Sequence, residues 1–373
     1  MKNIILTILL TLVISSQTAS AFDTRAKNFI IYDHQSGDVI LEKDSEKPIP
    51  PASMSKLMTL YVLFDKIKDE EISLDDTLSV SEKAWKKGGS KMFVKVGTDV
   101  KVRDLIQGIV VQSGNDACIV VAEGLAGSED SFADAMNEKA EEIGLENSTF
   151  ANATGWPDEN HRMSLRDLLK LSTLIMEEYP DFYKYFAQKK FTYNKITQRN
   201  RNKLLGKHGV DGLKTGHTQE AGYGLVASAI NDGRRITAVV SGLGSEGARA
   251  TETERLLRYG FKNFKNIDIA EKGQTLAHAK TWYGTEDSVT LVAGDDIIST
   301  IPKYKKKKVK VRVAYHEPIF APIAKGQHIA DLVVSMPDRA DKSIPLYAGH
   351  AVEEKGWLGK KISDIKHALT NIF

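Results

Sequence analysis

A single cysteine, Cys118, stands among the 373 residues, so no intrachain disulfide can brace the fold and stability must come from a packed core. Cys118 lies in Ala117-Cys118-Ile119-Val120-Val121-Ala122. That run reads as a buried helix, where a thiol acts as a small hydrophobe rather than a nucleophile. The nine histidines show no metal-ligand spacing: H-E-x-x-H is absent and no cysteine partner is in reach, so no metal and no cofactor is expected. Charge of one sign is missing too. A formal net charge of +2 creates no strong field, and with no nucleic-acid-binding motif present a nucleic-acid partner is excluded. Nor is there an apolar run of the ~20 residues that a membrane-spanning helix needs. The largely apolar stretch Ile4–Ile14 is shorter, follows a lone Lys2, and leads to Ala19-Ser20-Ala21. This is the pattern of a cleavable secretory signal cut after Ala21, against the alternative of an uncleaved anchor. Cleavage removes one lysine and no acid, taking the formal charge from +2 to +1. The protein is therefore expected to act outside the cytoplasm.

What remains is an ordinary globular composition, 42% apolar and 27% charged. Its length suggests two domains at about 150 residues each. Phe29–Tyr32 and Val39–Leu41 flank Gln35-Ser36-Gly37-Asp38 as a hairpin. Beyond Pro48, Pro50 and Pro51 a helix is predicted, apolar almost all round from Leu57 to Phe64 and hence buried, with Ser53 at its start. Gly88-Gly89 marks a turn, and helical patterns run from Val102 to about Glu178 around the turn-rich segment 153–158. Val210–Thr218, Tyr223–Ile230 and Arg235–Ser241 read as strands, the last two joined by Asn231-Asp232-Gly233. Helices followed by an antiparallel meander argue for an α+β domain ending near Phe264.

From Ile267 to about Glu353 short alternating stretches, among them Ser288–Val292, Val309–Tyr315 and His328–Ser335, predict a small β-domain. Its basic run, Lys305–Lys308, fits a strand edge protected by lysines better than a site for an anionic partner. At the end of the chain Leu358, Ile362, Ile365, Leu369 and Ile372 form one apolar stripe flanked by Lys361 and Lys366. Two readings stand for this segment: a helix lying on a membrane surface, and a helix docked on the protein's own body.

Three short strings occur in order: Ser53-Met54-Ser55-Lys56, Ser113-Gly114-Asn115 and Lys214-Thr215-Gly216. They match the S-x-x-K, S-x-N, K-T-G set of serine acyl-transfer sites in which a lysine replaces histidine. One or two S-x-x-K strings are expected by chance in a chain this long, roughly, and a second copy does occur at Ser363–Lys366. Only the first copy is followed by the other two strings, so order and spacing carry the inference. The chemistry explains the residue types. A serine hydroxyl needs a base, and at i and i+3 on one helix Lys56 shares a face with Ser53. Lys56 can accept a proton only if burial and a neighbouring positive charge, for which Lys214 is the candidate, lower its pKa. Ser113 is placed to pass a proton and Asn115 to hold substrate backbone, unless they merely cap a helix. Gly216 leaves room for substrate along a strand on which Lys214 and Thr215 offer donors to a carboxylate.

With these strings and their surroundings, Pro51-Ala52-Ser53-Met54-Ser55-Lys56-Leu57-Met58-Thr59, Ser113 to Cys118, Asp211 to Thr218 and Ala221-Gly222-Tyr223, the chain resembles the low-molecular-mass penicillin-binding proteins, specifically D-alanyl-D-alanine carboxypeptidases. The resemblance implies a β-lactamase/transpeptidase-like catalytic domain over 22–264, a small all-β domain over 265–353 and an amphipathic membrane-surface helix over 354–373, behind a signal peptide at 1–21. It implies removal of the terminal D-alanine from peptidoglycan stem pentapeptides through an acyl-enzyme, inhibition by penicillin, and a periplasmic position on the outer face of the inner membrane. By position Ser53 is the nucleophile, Lys56 the base and Ser113 the proton relay. Asn115 is the amide clamp, Lys214, Thr215 and Gly216 line the carboxylate site, and Arg249 helps to hold that carboxylate. The backbone N–H groups of Ser53 and His217 form the oxyanion hole. A class A β-lactamase is disfavoured, because 154–162 contains Glu159 but no E-x-x-L-N pattern. A D,D-endopeptidase and a non-catalytic wall-binding protein remain as rivals, and the oligomeric state is left open.

Overall fold

The computed structural model describes residues 22–304, 309–336 and 340–370. The signal-like segment and the basic run Lys305–Lys308 lie outside the described residues.

Strands β1 (Asn28–Asp33) and β2 (Asp38–Lys43) form the expected hairpin. Helix α1 (Lys56–Lys68) follows a short 3₁₀ turn, Ala52–Ser55, that carries Ser53. Strand β3 (Thr77–Ser79), helix α2 (Glu82–Lys86) and strand β4 (Asp99–Lys101) lead into α3 (Val102–Gln112), α4 (Asn115–Ala126), α5 (Glu129–Glu142) and α6 (Leu165–Glu178). After the one-turn α7 (Pro180–Tyr183), β5 (Lys190–Tyr193) and β6 (Ile196–Arg199) form an outlying hairpin. The chain then builds the meander β7 (Val210–Thr218), β8 (Gly222–Asn231) and β9 (Arg234–Leu243), followed by α8 (Glu246–Asn263). The main sheet runs β2-β1-β9-β8-β7 and is antiparallel throughout.

Residue alternation decides what each face of that sheet meets. Phe29, Ile31, Leu225, Ala227, Ala229, Ala238 and Val240 turn to one side and pack with Leu256 and Leu257 of α8. Ile30, Leu213, Val226 and Val239 turn to the other and join the larger core made by α1, α3, α4, α5 and α6, as the two-residue period requires. α1, α3 and α4 are the most enclosed helices of this core. Leu57, Met58, Leu60, Leu63 and Phe64, and every residue from Ala117 to Ala122, are buried. Each large apolar side chain so buried contributes about 1.5–3 kcal/mol. Cys118 is one of these packed residues, and burial pushes its thiol up to about 12, in line with its reading as an inert hydrophobe.

The C-terminal part is all-β up to its last helix. β10 (Phe264–Ala270) pairs with β13 (Ile297–Pro302). β11 (Thr275–Trp282), β12 (Ser288–Ala293), β14 (Lys310–Ala314), β15 (Ile319–Phe320), β16 (His328–Ser335) and β17 (Lys342–Ala348) form a sheet ordered β14-β16-β17-β12-β11-β15. Its core is aliphatic: Val289, Leu291, Ile323, Leu332, Leu346 and Val352. Polar contacts join it to the β1–β2 turn. Asp38 accepts from Lys342 at 2.6 Å and from the Thr300 N–H at 2.6 Å, and Ser36 meets the Thr300 hydroxyl at 2.6 Å. Helix α9 (Trp357–Thr370) ends the described chain. Two of its polar side chains face the β part: Asp364 accepts from Tyr283 at 2.6 Å and Lys360 is paired with Glu354 at 2.5 Å. Trp357, Leu358 and Ile362 point into solvent, Ile362 being 65% exposed.

Candidate active site

Ser53 is placed by the tight turn ahead of α1, in which three residues per turn bring i and i+3 side chains into register. Lys56 is thereby held beneath it, with Nζ donating to Ser53 Oγ at 2.8 Å. The same Nζ donates to Asn115 Oδ1 at 2.7 Å and to the Thr154 carbonyl at 2.5 Å. All three acceptors are neutral and Lys56 is fully buried. Burial is the largest cause that lowers its pKa, to about 8, with the positive charges of Lys87 and Arg201 adding to it. Lys214, expected in that role, is itself a buried amine, and the repulsion between it and Lys56 acts on both. Burial first, then Lys56, Arg201 and Arg249 hold Lys214 well below its ordinary value.

The carbonyls of Asn115 and Thr154 can only accept. Once Lys56 is neutral, its two N–H bonds are taken by these oxygens and its lone pair is left facing Ser53, the one partner of the three that carries a proton to give. This arrangement is what a general base requires.

Ser113 ends α3 in the left-handed conformation, φ 61° and ψ 35°, uncommon for a residue with a side chain. The reversal allows α4 to begin at Asn115, so Asn115 is the first residue of that helix rather than part of a loop. Neither Ser113 nor Asn115 is a helix N-cap here, a position that Gly114 takes for α4: Ser113 Oγ accepts from Lys214 Nζ at 2.8 Å, and Asn115 Nδ2 donates to the Gly88 carbonyl at 2.8 Å.

β7 is the edge strand of the sheet, so one side of its backbone is free to pair with an extended ligand. Lys214 and Gly216 share one face of it. A Cβ on Gly216 would come within 2.7 Å of the Pro51 carbonyl, which is why glycine stands where the strand meets the serine turn. Gly155 is needed for the same reason on the opposite wall, since with φ +71° a side chain there would run into the Ala52 carbonyl.

The cleft above these groups has a volume of about 280 Å³. Ser53, Ser113, Thr215, Gly216, His217 and Arg249 all line it, with Lys56, Asn115 and Lys214 directly behind. Arg249 comes from the first turn of α8, which Ser245 caps by accepting from the Ala248 N–H at 3.1 Å. Its guanidinium lies 5.6 Å from the centre of the Tyr223 ring, and that ring stacks on His217 at 3.8 Å. Every residue singled out from the sequence therefore reaches this one site.

Sequence reasoning missed several contributors, among them Glu246, which lines the cleft and pairs with Arg249 at 3.4 Å. Arg201 and Ser90 line the cleft, Thr154 contributes only a backbone carbonyl, and Asp116 acts at one remove. The Asp116 carboxylate accepts from the N–H groups of Met92 and Phe93, both at 2.8 Å, and Val94 at 3.2 Å. It thereby holds the wall that contains Ser90. A pattern for Asp116 was available in Ser113-Gly114-Asn115-Asp116, but nothing in the sequence around Arg201 or Thr154 marks either.

Comparison with known proteins agrees with this geometry. The family model described as D-alanyl-D-alanine carboxypeptidase matches residues 15–245. A second, described as penicillin-binding protein 5, C-terminal domain, matches residues 264–354. The chain is 36% identical over 355 residues to D-alanyl-D-alanine carboxypeptidase DacC of Escherichia coli (strain K12), an alignment covering 93% of this chain and 89% of that protein. Among solved structures it is similar to penicillin binding protein 5 from Haemophilus influenzae, with TM-score 0.81, 36% identity and coverage of 90% and 100% of the two chains. It is also similar to the D-alanyl-D-alanine carboxypeptidase DacD from Francisella tularensis, with TM-score 0.79, 30% identity and coverage of 90% and 95%.

Proposed function

Because the chain belongs to the D-alanyl-D-alanine carboxypeptidase family, we propose that it is a serine hydrolase that removes the terminal D-alanine of peptidoglycan stem pentapeptides through an acyl-enzyme on Ser53. The observation that carries the reading is the place of the Lys56 amine, 2.8 Å from Ser53 Oγ with its two other contacts to carbonyl oxygens, so that once neutral it can turn its lone pair to Ser53.

The terminal D-alanyl residue lies along the free edge of β7 with its carboxylate towards Lys214, Thr215 and Arg249. An arriving carboxylate restores the charge that burial suppresses on Lys214, since an opposite charge favours the ionised form. Lys56 takes the Ser53 proton as Oγ attacks the carbonyl carbon of the penultimate residue, and the developing oxyanion sits at the backbone N–H groups of Ser53 and His217. Each such donor is typically worth ~3 kcal/mol. The C–N bond breaks as the proton that Lys56 took from Ser53 passes through the Ser113 hydroxyl, held by Lys214, to the leaving amine, so D-alanine departs neutralised at nitrogen and Lys56 is left neutral again. Water then attacks the ester, loses a proton to Lys56, and the Ser53 oxygen regains one. Penicillin presents a carboxylate and a strained amide in the same relation and acylates the same serine.

The proposed division is a catalytic domain over 22–264, a β-domain over 265–353 and a surface helix over 354–373. Exposure of Trp357, Leu358 and Ile362 supports a membrane-surface role for that helix, and with the signal-like N-terminus it supports a periplasmic place at the inner membrane. No helix among the described residues is long and apolar enough to cross a membrane. The direct test is D-alanine release from a synthetic stem pentapeptide, run beside Ser53→Ala. Release by the wild type alone supports the reading, and release by neither protein refutes it.

A further inference from the structure

One buried histidine beside the serine turn takes no part in the chemistry described above. His161 lies in the loop between α5 and α6 and is 2% exposed. Its two ring nitrogens have different partners. Nδ1 accepts from the Ala151 N–H at 3.2 Å, so the ring proton belongs on Nε2, which meets Ser55 Oγ at 2.8 Å. Burial pushes the pKa of His161 down to about 4, and the ring is neutral at physiological pH.

The two partners belong to opposite walls of the site. Ser55 is in the turn that carries Ser53 and delivers Lys56. Ala151 opens the segment 151–156, whose Thr154 carbonyl is one of the two acceptors that orient Lys56. Within that segment Asn152 Oδ1 accepts from the Thr154 N–H at 3.0 Å, the Thr154 hydroxyl at 2.8 Å and the Trp156 N–H at 3.0 Å, making it a single stiff turn. The Ala153 carbonyl accepts from Thr59 of α1 at 2.7 Å. The ring also meets Phe150 edge-on, with centroids 5.6 Å apart. His161 is therefore the bridge on one side of Lys56, as Thr59 is on the other.

We infer that His161 is a positioning residue: it ties segment 151–156 to the serine turn and so holds the Thr154 carbonyl where it aims the Lys56 lone pair at Ser53. The inference rests on Ser53 and Lys56 acting as proposed above. A displacement of that carbonyl by a fraction of an ångström frees the amine to rotate. It then loses the near-attack geometry, on which much of the rate depends, without altering the cleft that binds the ligand.

The test is stopped-flow acylation of the full-length protein by benzylpenicillin, which separates the dissociation constant of the noncovalent complex from the acylation rate constant. Intact-mass stoichiometry, measured in parallel, counts the competent protein. Ser55→Ala and His161→Ala are each expected to lower the rate constant at least tenfold, with the dissociation constant within twofold of wild type and one drug bound per molecule. Both break the same bridge, so the double variant should be no slower than the slower single variant. A rate constant within twofold of wild type in either single variant overturns the inference. So does a fall in stoichiometry at unchanged rate, which is the signature of misfolding alone. If His161→Ala does not fold, Ser55→Ala decides the matter by itself. Absence of any adduct in the wild type sinks the Ser53 reading underneath, an outcome distinct from all of these.

Discussion

Two regions of this protein treat buried polarity in opposite ways. Around Ser53 the interior holds Ser55, Lys56, Ser113, Asn115, Asp116, Thr154, His161 and Lys214, all buried. Among the described residues of the C-terminal β part the buried polar side chains are Ser299 and Thr300, and these face the β1–β2 turn at the junction. Elsewhere that part's buried side chains are apolar, mostly valine, leucine, isoleucine and alanine with Met336. Burying a polar group is unfavourable unless it is hydrogen-bonded, and burying an amine without a counter-ion more so. The concentration of such groups in one place, including two lysines with depressed pKa values, therefore marks where the chemistry is done. The β part shows what this chain builds when only packing is required.

That contrast can be broken most sharply at Lys56. In Lys56→Met the acylation rate by benzylpenicillin should fall roughly 10²–10⁴-fold, the usual worth of a general base. The melting temperature should stay at or above that of the wild type, because a desolvated amine is replaced by an apolar chain of similar size. Calorimetry beside acylation kinetics checks both halves. If the variant unfolds, the site is structural rather than strained for function.

Acidity probes the same lysine in the intact enzyme. Lys56 accepts a proton only when neutral, and its lowered pKa of about 8 places the change within reach. Below that value the acylation rate should rise about tenfold per pH unit and level off above it. A flat profile between pH 5 and 8 contradicts a lysine base.

In the β part the opposite outcome is expected. Leu346→Ala, at a fully buried position of the β core, should destabilise by about 2–5 kcal/mol in chemical denaturation while leaving acylation unchanged. The smallest effect should come from α9. Leu358→Asp with Ile362→Asp is expected to abolish sedimentation with anionic lipid vesicles and to alter acylation less than twofold.

Much of the site was legible in the sequence because its chemistry lies in side chains at fixed spacing. Ser53 and Lys56 are one helical turn apart, and the order of the three strings fixes which elements must converge. What could not be read was whatever depends on the backbone or on the chain's return path. The Thr154 carbonyl carries no residue signature, and Arg201 reaches the cleft only because the segment before β7 passes it. His161 looked like any loop histidine until its two nitrogens were seen to have partners on different walls. The fold shows the same division. The β1–β2 hairpin and the β7–β9 meander announce themselves by turn chemistry and apolar alternation. α8 does not, since its first two turns, Glu246 to Thr253, hold only alanine as an apolar residue and bury Arg249, Glu252 and Thr253. The β5–β6 hairpin is short and mostly exposed, with no buried face to impose a pattern.

The most direct test of the central claim is intact-protein mass spectrometry after exposure to benzylpenicillin, followed by peptide mapping. A single adduct of one drug mass, located on the peptide that contains Ser53 and absent from Ser53→Ala, is the expected result. An adduct that persists in Ser53→Ala, or that maps to another residue, would contradict the assignment of Ser53 as the nucleophile.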